Sequence, residues 1–428
     1  MKNKFYKTIS LKLSLGGMIN SAYFILYLKQ ERSIKMQFRE DKKSGNQISI
    51  LGFGCMRLPT VRGQIDIVKT EKLFLEAINN GINYFDTAYF YIGSEAAIGQ
   101  IFEKNNLREK VYLATKLPLM LCKNTSDFDK YFNIQLKRLR TDYIDYYFMH
   151  MLSGPEQWEA LCKLGIIEWI AENKKNGKIK QVGFSFHGKR DDFIKLVDEY
   201  NWDFCQVQYN YININYQAGN SGLKYAVEKG LPVFIMEPLL GGRLANSLPQ
   251  QALDIMGKAD KSMTPVAWAL KWIWNHSEVT MLLSGMNELE QLRENISLAD
   301  TSVPNMWTEK ELTTINKVIE IFNASYKIPC TGCNYCMPCP KGIDIPGCFA
   351  SYNASYSMKL STGMLQYMLN TGATTRTPAL ASMCVKCGKC EKHCPQNIPI
   401  RDSLQKVKKR LEPFWFKPVI SLVRNFVK

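Results

Sequence analysis

The sequence predicts an α/β protein, with a (β/α)8 barrel followed by a small, mainly helical domain rich in cysteine. Eight times between Ile48 and Asp300 a short apolar run precedes a longer amphipathic stretch, and this span is close to the roughly 250 residues that such a barrel usually needs. Nine of the thirteen cysteines lie beyond it, between Cys330 and Cys394. The 428 residues are 46% hydrophobic, which is ample for a large core and excludes a disordered or fibrous protein.

The predicted barrel strands are continuous apolar runs, as expected of strands that are buried on both faces. They are Ile48 to Gly54, Ile82 to Phe85, Val111 to Thr115, Ile144 to Met149, Ile179 to Phe184, Phe204 to Gln208, Val233 to Met236 and Val279 to Ser284. The predicted helices between them include Thr70 to Asn79, Asp127 to Leu139, Pro155 to Lys175 and Leu289 to Leu298. An open, doubly wound sheet is the alternative, but no Gly-x-Gly-x-x-Gly motif follows any of these strands, so a Rossmann unit lacks its main support.

Positive charge is concentrated at the two ends of the chain. The net charge is +16; residues 1–35 carry seven basic residues against one acidic, and residues 401–428 carry eight against two. The body between them has no basic stripe with interleaved aromatic residues, so nucleic-acid binding is not expected. We predict four segments, which are an N-terminal extension (1–35), the barrel (36–325), the cysteine-rich domain (326–400) and a basic, aromatic tail (401–428).

The N-terminal extension has more than one interpretation. Its lysines precede an uncharged run from Leu13 to Leu28 that resembles the start of a signal peptide, but the run lacks a clear cleavage site and is short for a membrane span. The stretch that begins at Met36 resembles a native N-terminus. We therefore favour a dispensable or wrongly assigned extension over an interfacial anchor or a signal peptide. The expected location is the cytoplasm, since closely spaced cysteines after a cysteine-poor body indicate metal binding in a reducing compartment.

Four titratable residues stand at consecutive strand ends. Asp86 ends the second predicted strand, Tyr91 follows in its loop, Lys116 ends the third and His150 ends the fourth. Taken singly, each has a structural interpretation, such as a turn for the aspartate or core packing for the tyrosine. In a barrel, however, the active site lies at the carboxyl ends of the strands. There the four residue types together form a complete unit for acid catalysis.

This set, with its spacing, resembles the catalytic tetrad of the aldo/keto reductases, and the resemblance covers about residues 36–300. The motifs that carry it are GFGCMRLP, FDTAYFY, ATK, YFMH, VGFSFH, CQVQYN, MEPLLGGRLA and SGMNELEQLREN. The resemblance implies an enzyme that reduces an aldehyde or ketone to an alcohol. It also implies a nicotinamide cofactor, NADP(H) or NAD(H), extended over the barrel mouth without a Rossmann unit.

The same resemblance implies a role for each member of the tetrad. Tyr91 would protonate the alkoxide that is left by hydride transfer. Because a phenol ordinarily has a pKa near 10, we expect Lys116 to lower the pKa of Tyr91, with Asp86 keeping the lysine charged and oriented. His150 would donate a hydrogen bond to the carbonyl oxygen.

Cofactor-binding residues follow from the resemblance position by position. Ser185 and Gln206 match the positions that hold the nicotinamide carboxamide, and Glu294 and Asn295 match the adenine-side pair. The loop after β-strand seven offers further candidates. Pro238 is one, and Gly241, Gly242 and Arg243 after it could offer backbone amides and one cation to the pyrophosphate. A glycine pair in such a loop is as often only a turn.

Three positions depart from the family pattern. Phe186 stands where the family usually has asparagine, and Met236 stands where many members have an aromatic residue that stacks on the nicotinamide. Gln291 occupies the position where several members place an arginine on the 2'-phosphate. Since a glutamine offers no charge to that phosphate, the choice between NADPH and NADH stays open.

Two runs of cysteines make up the C-terminal domain. They are Cys330, Cys333, Cys336 and Cys339, and Cys384, Cys387, Cys390 and Cys394, and each run ends in Cys-Pro. The second run has the spacing of a bacterial ferredoxin, and the pair resembles a ferredoxin-like domain with two 4Fe-4S clusters. That resemblance implies that Cys394 completes the first group of three and Cys339 the second. The first run is one residue shorter before its last cysteine, which leaves Cys348 as a spare candidate, and tetrahedral zinc is the alternative metal.

The rest of the C-terminal region predicts helices and a docked domain. Helices are expected at Ser351 to Leu369 and at Asp402 to Leu411. The short link of Ile328 and Pro329 predicts that the cysteine-rich domain packs against the barrel. The aromatic tail has three candidate docking surfaces, which are the protein itself, a partner and a membrane, and membrane contact through the termini is the one we favour least.

The sequence therefore predicts an oxidoreductase that acts on a small carbonyl substrate and carries an attached iron-sulfur electron-transfer domain. The alternative is an iron-sulfur electron-transfer or interaction protein whose barrel is a weakly catalytic cofactor-binding module. No flavin motif is visible to split a hydride into single electrons, so the clusters are expected to serve an external redox partner or fold stability.

Overall fold

The computed structural model describes residues 36–357, 359–375 and 377–420. Within them, eight parallel strands close into a barrel, with each strand pairing with its neighbours in chain order and the eighth pairing with the first. The strands are β1 (Leu51–Gly54), β2 (Tyr84–Asp86), β3 (Tyr112–Leu117), β4 (Ile144–Leu152), β5 (Ile179–Phe186), β6 (Phe204–Gln208), β7 (Val233–Met236) and β8 (Met281–Ser284). The predicted (β/α)8 barrel is confirmed.

The first predicted strand is shorter than expected. Gln47–Ser49 pairs antiparallel with Phe38–Glu40, and only the residues from Leu51 onward enter the barrel. Ile48 is buried among the side chains that fill the barrel interior, and the neighbouring Asp41 accepts a hydrogen bond of 2.8 Å from the Tyr146 hydroxyl near the amino end of β4. The hairpin therefore plugs the amino end of the barrel. One apolar run covers both parts because both are buried.

Helices alternate with the strands as the amphipathic stretches predict. Those of the barrel part are Ile67–Asn79, Ser94–Lys104, Thr125–Leu139, Pro155–Lys163, Ile166–Lys175, Arg190–Asp198, Gly219–Glu228, Arg243–Asn246, Gln250–Ala259, Pro265–Trp274, Leu289–Asp300 and Glu309–Ser325. The predicted helix Pro155 to Lys175 is in fact two helices. Gly165, with a left-handed φ of 82°, separates them, since glycine adopts that conformation without steric cost.

In its described part, the cysteine-rich domain has its own small core and the helices Ile345–Ser357, Leu360–Asn370 and Ile400–Leu411. The single helix predicted from Ser351 to Leu369 is wrong, because the first two helices fold back against each other. A Cβ atom on Gly363 would lie only 2.4 Å from the Cβ of Ser355, so the glycine permits this close approach. A single sequence pattern does not distinguish one long helix from two that pack together.

The described part of the C-terminal tail belongs to this domain. The helix predicted at Asp402 to Leu411 is confirmed, and its apolar residues are buried in the domain core together with Phe416. The Phe416 ring lies 5.9 Å from that of Tyr367. The expectations for residues 1–35 and for residues 421–428 lie outside the described residues. No helix of the described part is long and apolar enough to cross a lipid bilayer.

The cysteine-rich domain packs across the carboxyl ends of the barrel strands. Gln217 donates a hydrogen bond of 2.8 Å to the carbonyl oxygen of Pro395, and the Asn397 amide donates one of 3.4 Å to the carbonyl oxygen of His187, just after β5. Tyr216 also donates to the carbonyl oxygen of Gln396. The domain thus covers the end of the barrel where chemistry is expected.

Candidate active site

A cleft opens between the barrel mouth and the cysteine-rich domain. Its volume, including the open mouth, is about 1060 Å³. Asp86, Lys116 and His150 come from β2, β3 and β4 and line the cleft together with Tyr91 from the loop after β2. The four residues that the strand-end pattern singled out are therefore brought together in one site.

An ion pair between Lys116 and Asp86 lies in the cleft. The Lys116 ammonium is 2.5 Å from Asp86 Oδ1 and donates a second hydrogen bond of 2.7 Å to the carbonyl oxygen of Thr87, while Gln206 donates to Asp86 Oδ2 at 3.3 Å. Burial raises the pKa of Asp86 and lowers that of Lys116, and each partner opposes the shift by favouring the other's charged form. Because both groups are almost fully buried and fully paired, we assign them as charged.

Tyr91 lies beside this pair, but its pKa does not move in the expected direction. Lys116 Nζ is 5.3 Å from the centroid of the Tyr91 ring. Burial raises the pKa of Tyr91 well above its ordinary value, and repulsion from Tyr335 and Asp86 adds to the effect. The expected net lowering of the Tyr91 pKa is wrong in this structure, because the burial of the phenol outweighs the attraction of the Lys116 charge, which is paired with Asp86. A phenol that stays protonated at neutral pH still has a proton to donate.

His150 is held in its neutral form. Burial, followed by the nearby charge of Lys116, lowers the pKa of His150 well below 6.5. Its ring centroid lies 6.4 Å from that of Tyr91, and its Nδ1 atom is buried without a hydrogen-bond partner among the described residues. A neutral imidazole keeps one N–H group, which suits the predicted donation to a carbonyl oxygen.

Five of the eight predicted cofactor-binding residues line the same cleft. They are Ser185, Gln206, Pro238, Gly241 and Gly242. Ser185 Oγ accepts a hydrogen bond of 2.9 Å from the Met151 backbone N–H, and the side chains of Ser185 and Gln206 are both almost fully buried. Two polar groups in fixed positions therefore face the cleft beside the tetrad. Met236 lines it too, whereas Phe186 is buried against Phe193.

The other three predicted residues lie outside the cleft lining. Glu294 accepts a hydrogen bond of 2.6 Å from the Thr264 hydroxyl. Asn295 donates one of 2.9 Å to the hydroxyl of Ser284, which does line the cleft at the end of β8. The Arg243 guanidinium lies 5.0 Å from the centroid of the Tyr326 ring. Cofactor contact by these three side chains stays a prediction.

Several residues that the sequence did not single out also line the cleft. From the barrel they include Arg57, His187 and Glu237, and from the cysteine-rich domain Tyr335 and Pro395. Cys333, which the sequence predicted as a cluster ligand, lines the cleft as well. Glu237 directly follows β7, so the strand-end rule was a signal that could have found it. Its carboxylate accepts hydrogen bonds of 3.2 and 3.3 Å from Gln396, and burial raises its pKa to about 7 against the opposing charges of Arg57 and Arg243. Residues of the other domain gave no local signal.

The eight cysteines predicted to bind clusters form two groups around two small cavities. Cys330, Cys333, Cys336 and Cys394 line the first, and Cys339, Cys384, Cys387 and Cys390 line the second. Each cavity has a volume of about 300 Å³. The grouping is the one that the ferredoxin resemblance implies, with the last cysteine of each run contributed to the other group. Cys348 is buried in the domain core and lines neither cavity.

The cysteine groups fit 4Fe-4S clusters by residue type and arrangement. Four thiols around one cavity form the ligand set of a cubane. Within the described residues, no three His, Cys, Asp or Glu side chains converge closely enough to hold a single metal ion. Burial raises the pKa of Cys333 to about 11 and that of Cys336 to about 12, so iron binding at neutral pH must release protons from these thiols.

Comparison with known proteins matches both parts of the chain. The family model described as the aldo/keto reductase family matches residues 50–320, and the one described as a 4Fe-4S dicluster domain matches residues 329–398. Fold and site together thus define a barrel oxidoreductase with an attached iron-sulfur domain. The chain belongs to the aldo/keto reductase family. The second match favours iron-sulfur clusters over the zinc alternative.

Named relatives agree with this assignment, and a solved structure shares the fold. An aldo-keto reductase of Schizosaccharomyces pombe, whose name specifies NADP(+), is 23% identical over 325 residues, which cover 67% of this chain and 94% of the relative. The NADH-specific methylglyoxal reductase of Escherichia coli is 26% identical over 297 residues, which cover 58% of this chain and 89% of the relative. The holo structure of an aldo-keto reductase from Bacillus halodurans is 24% identical with a TM-score of 0.55, and the match covers 66% of this chain and 96% of that one. The structural likeness shows the shared fold.

Proposed function

We propose that the protein reduces the carbonyl group of an aldehyde or ketone to an alcohol with NADPH or NADH. The observation that carries the proposal is the convergence of Tyr91, His150 and the Lys116–Asp86 pair on one cleft at the carboxyl ends of the strands. Each group is in the state that reduction requires, since the phenol is protonated, the imidazole is neutral and the ammonium is charged.

Each residue of the cleft has its own role in the proposed reduction. A bound nicotinamide would supply the hydride. Ser185 and Gln206 suit its carboxamide, because a hydroxyl and an amide side chain can both donate and accept hydrogen bonds. His150 would donate to the carbonyl oxygen and stabilise its developing negative charge. Tyr91 would then pass its proton to that oxygen, and the Lys116 ammonium would stabilise the phenolate that is left.

A set of aldehydes, with absorbance of the reduced nicotinamide as the readout, tests the proposal. Tyr91→Phe should lower kcat by about 100- to 10,000-fold, the usual range for a lost general acid, while the affinity for NADPH or NADH stays nearly the same. Tyr89→Phe is the matched control, since Tyr89 stands in the same loop but packs 5.3 Å from the Tyr131 ring. Equal loss of cofactor binding in Tyr91→Phe would show a structural residue instead.

The cofactor preference follows from the side chains near the predicted 2'-phosphate position. Gln291 accepts a hydrogen bond of 3.0 Å from the Asn287 N–H, and the nearby Arg293 is paired with Glu76 at 2.9 Å. Gln291 carries no charge, and the charge of Arg293 is already paired with Glu76. We therefore propose that NADPH has no large advantage over NADH. Titration of protein fluorescence with each nucleotide compares the two affinities, and a hundredfold preference for NADPH would contradict the proposal.

We also propose that each four-cysteine group holds one 4Fe-4S cluster. The protein purified without oxygen should then contain about eight irons per chain and absorb broadly near 400 nm. Stoichiometric zinc in a colourless protein would contradict this assignment.

A second candidate function is electron transfer, with the barrel as a cofactor-binding module. The observation that favours it is that Cys333, a member of the first cysteine group, lines the tetrad cleft. Oxidation of reduced methyl viologen that persists in Tyr91→Phe would support this function. An external redox partner would then accept or supply the electrons of the clusters.

A further inference from the structure

A second cavity adjoins the tetrad cleft at the boundary between the two domains. Its volume, including the open mouth, is about 1180 Å³. The residues that line both cavities are His150, His187, Tyr335 and Pro395. Because the cleft holds the residues predicted to bind the nicotinamide, a carbonyl group beside His150 has the second cavity next to it for the rest of the substrate.

The barrel side of this cavity is mainly apolar. Its apolar residues include Phe90, Leu119, Met120, Met151, Leu161 and Leu164. The Phe90 ring centroid lies 5.8 Å from that of His150, so the apolar wall begins beside the predicted hydrogen-bond donor. Met120 is 48% exposed, and a ligand that covered it would remove apolar surface from water. The wall therefore suits the apolar ring or chain of a substrate.

The other side of the cavity belongs to the cysteine-rich domain and carries charge. The turn Glu391–His393 lies here, just before Cys394. The carboxylate of Glu391 is neutralised by Arg401, whose guanidinium lies 2.8 Å away. Lys392 is exposed and has no ion-pair or hydrogen-bond partner among the described residues. An ammonium group without a partner thus borders a cavity that is apolar on its barrel side.

The charge of Lys392 is decisive for an anionic ligand. Cys394 lines the same cavity and belongs to the first cysteine group, where a bound 4Fe-4S cluster with its thiolate ligands would carry negative charge. That charge by itself would repel an anion. The ammonium group of Lys392 attracts one, and its single positive charge matches a carboxylate better than a doubly charged phosphate.

We propose that the substrate is an aldehyde or ketone whose apolar body carries a carboxylate, and that Lys392 binds this carboxylate. The inference rests on the proposed carbonyl reduction and names the class of substrate for the same site. The carbonyl group lies at His150, the apolar body packs along the wall that includes Met120, and the carboxylate pairs with Lys392. The cysteine-rich domain therefore contributes to specificity, because the described barrel residues that line this cavity include no lysine or arginine.

A matched pair of aromatic aldehydes tests the role of Lys392. The compounds para-carboxybenzaldehyde and para-methylbenzaldehyde share a ring and differ in charge. Lys392→Met should lower kcat/KM for the carboxylate about 3- to 10-fold, mainly through KM, as expected for an ion pair at the edge of the solvent. It should leave kcat/KM for the methyl compound within about twofold. Because each aldehyde is compared only with itself across the variants, the different reactivity of the two carbonyl groups cancels.

Control variants separate charge from structure. Lys389→Met removes a lysine from the same cysteine run, but Lys389 is exposed and lines neither the cleft nor the second cavity, so this variant should behave like the wild type. Lys392→Arg should keep about half or more of the activity toward the carboxylate, since the charge is retained. Met120→Ser should lower kcat/KM for both aldehydes by a similar factor, because it removes apolar surface and no charge. An unchanged kcat/KM in Met120→Ser would contradict the apolar wall.

Product binding tests the site without turnover. Calorimetric titration of the iron-loaded protein with para-(hydroxymethyl)benzoate, the alcohol product, should show about 3- to 10-fold weaker binding in Lys392→Met. If the wild type binds this product through Lys392 but reduces neither aldehyde, the proposed reduction fails while the carboxylate site stands. Unchanged product binding and unchanged kcat/KM in Lys392→Met would overturn the inference. A loss of activity toward both aldehydes together with loss of iron would also overturn it, since that pattern marks a structural residue.

Discussion

A Cβ atom placed on Gly241 would lie 2.3 Å from the carbonyl oxygen of Thr331. Gly241 belongs to the loop after β7 that lines the cleft, whereas Thr331 follows Cys330 at the start of the cysteine-rich domain. Arg57 donates hydrogen bonds to both carbonyl oxygens, at 3.1 Å to Gly241 and 3.4 Å to Thr331. The glycine that was predicted to face a pyrophosphate therefore also packs against the backbone of the cysteine-rich domain.

This contact predicts different effects for substitutions at neighbouring glycines. Gly241 and Gly242 both have left-handed φ values, 69° and 90°, so alanine at either position costs about 1 to 2 kcal/mol of backbone strain. Only Gly241→Ala also forces the domains apart, because a Cβ on Gly242 meets nothing within 4 Å. We expect a clearly larger drop in Tm for Gly241→Ala, with faster proteolysis near Pro329. Equal losses of Tm in Gly241→Ala and Gly242→Ala would contradict this account of the contact between the domains.

The buried Lys116–Asp86 pair predicts strong coupling between its two members. Asp86→Asn or Lys116→Met leaves one buried charge without its partner, and each should cost about 3 to 5 kcal/mol of stability. The double variant should be less destabilised than the sum of the two, because no charge is then left unpaired. Thermal unfolding of the four proteins measures the coupling. Additive losses would mean that the pair does not interact in solution.

The exchange of cysteines between the two runs predicts which cluster each variant loses. Cys394→Ser should remove the cluster of the first group, although Cys394 belongs to the second run, and Cys339→Ser should remove the other cluster. Cys348→Ala serves as the control and should keep the full iron content, since its thiol lies in the domain core, 3.9 Å from the Ala379 carbonyl oxygen. Iron analysis and electron paramagnetic resonance of each reduced variant decide the pairing. Loss of iron in Cys348→Ala would reassign the ligand set.

Two groups of the cleft predict opposite responses of stability to pH. Burial lowers the pKa of His187 from 6.5 to about 4. Below about pH 6.5 the unfolded chain therefore binds a proton that the folded protein does not bind, and the stability of the folded protein falls as the pH drops. Glu237 has a folded pKa of about 7 against 4.5, so it favours the folded protein as the pH drops from 7 toward 4.5.

Matched variants separate the two contributions. Between pH 8 and pH 5.5, His187→Gln should remove about 1 kcal/mol of acid destabilisation, so its Tm should fall less than that of the wild type. Glu237→Gln should show a larger fall in Tm over the same interval, because the favourable protonation is lost. Identical pH profiles for the three proteins would show that neither group is perturbed in solution.

Local patterns in the sequence were enough to determine the barrel and the composition of its site. Eight repeats of an apolar run and an amphipathic stretch leave few alternatives to a closed parallel sheet. Once the strands are parallel and closed, Asp86, Lys116 and His150 must meet at one end, because each stands at the same end of its own strand. The cysteine spacing likewise predicted the cluster ligands, because cysteines separated by two residues can surround a cluster through local geometry.

Tertiary structure alone decided how the two domains share the site. Tyr335 and Tyr91 line one cleft, and Gly241 lies against Thr331, across a domain boundary. No periodicity or motif encodes the proximity of residues so far apart in the chain. The same limit explains the two helices where the sequence predicted one at Ser351 to Leu369, since burial on both sides of a turn leaves the same apolar pattern as a continuous helix. It also explains why the direction of the Tyr91 pKa shift was not predicted. A motif shows which residues neighbour a phenol, but only the folded chain determines how far water is excluded from that phenol and which nearby charges are already paired.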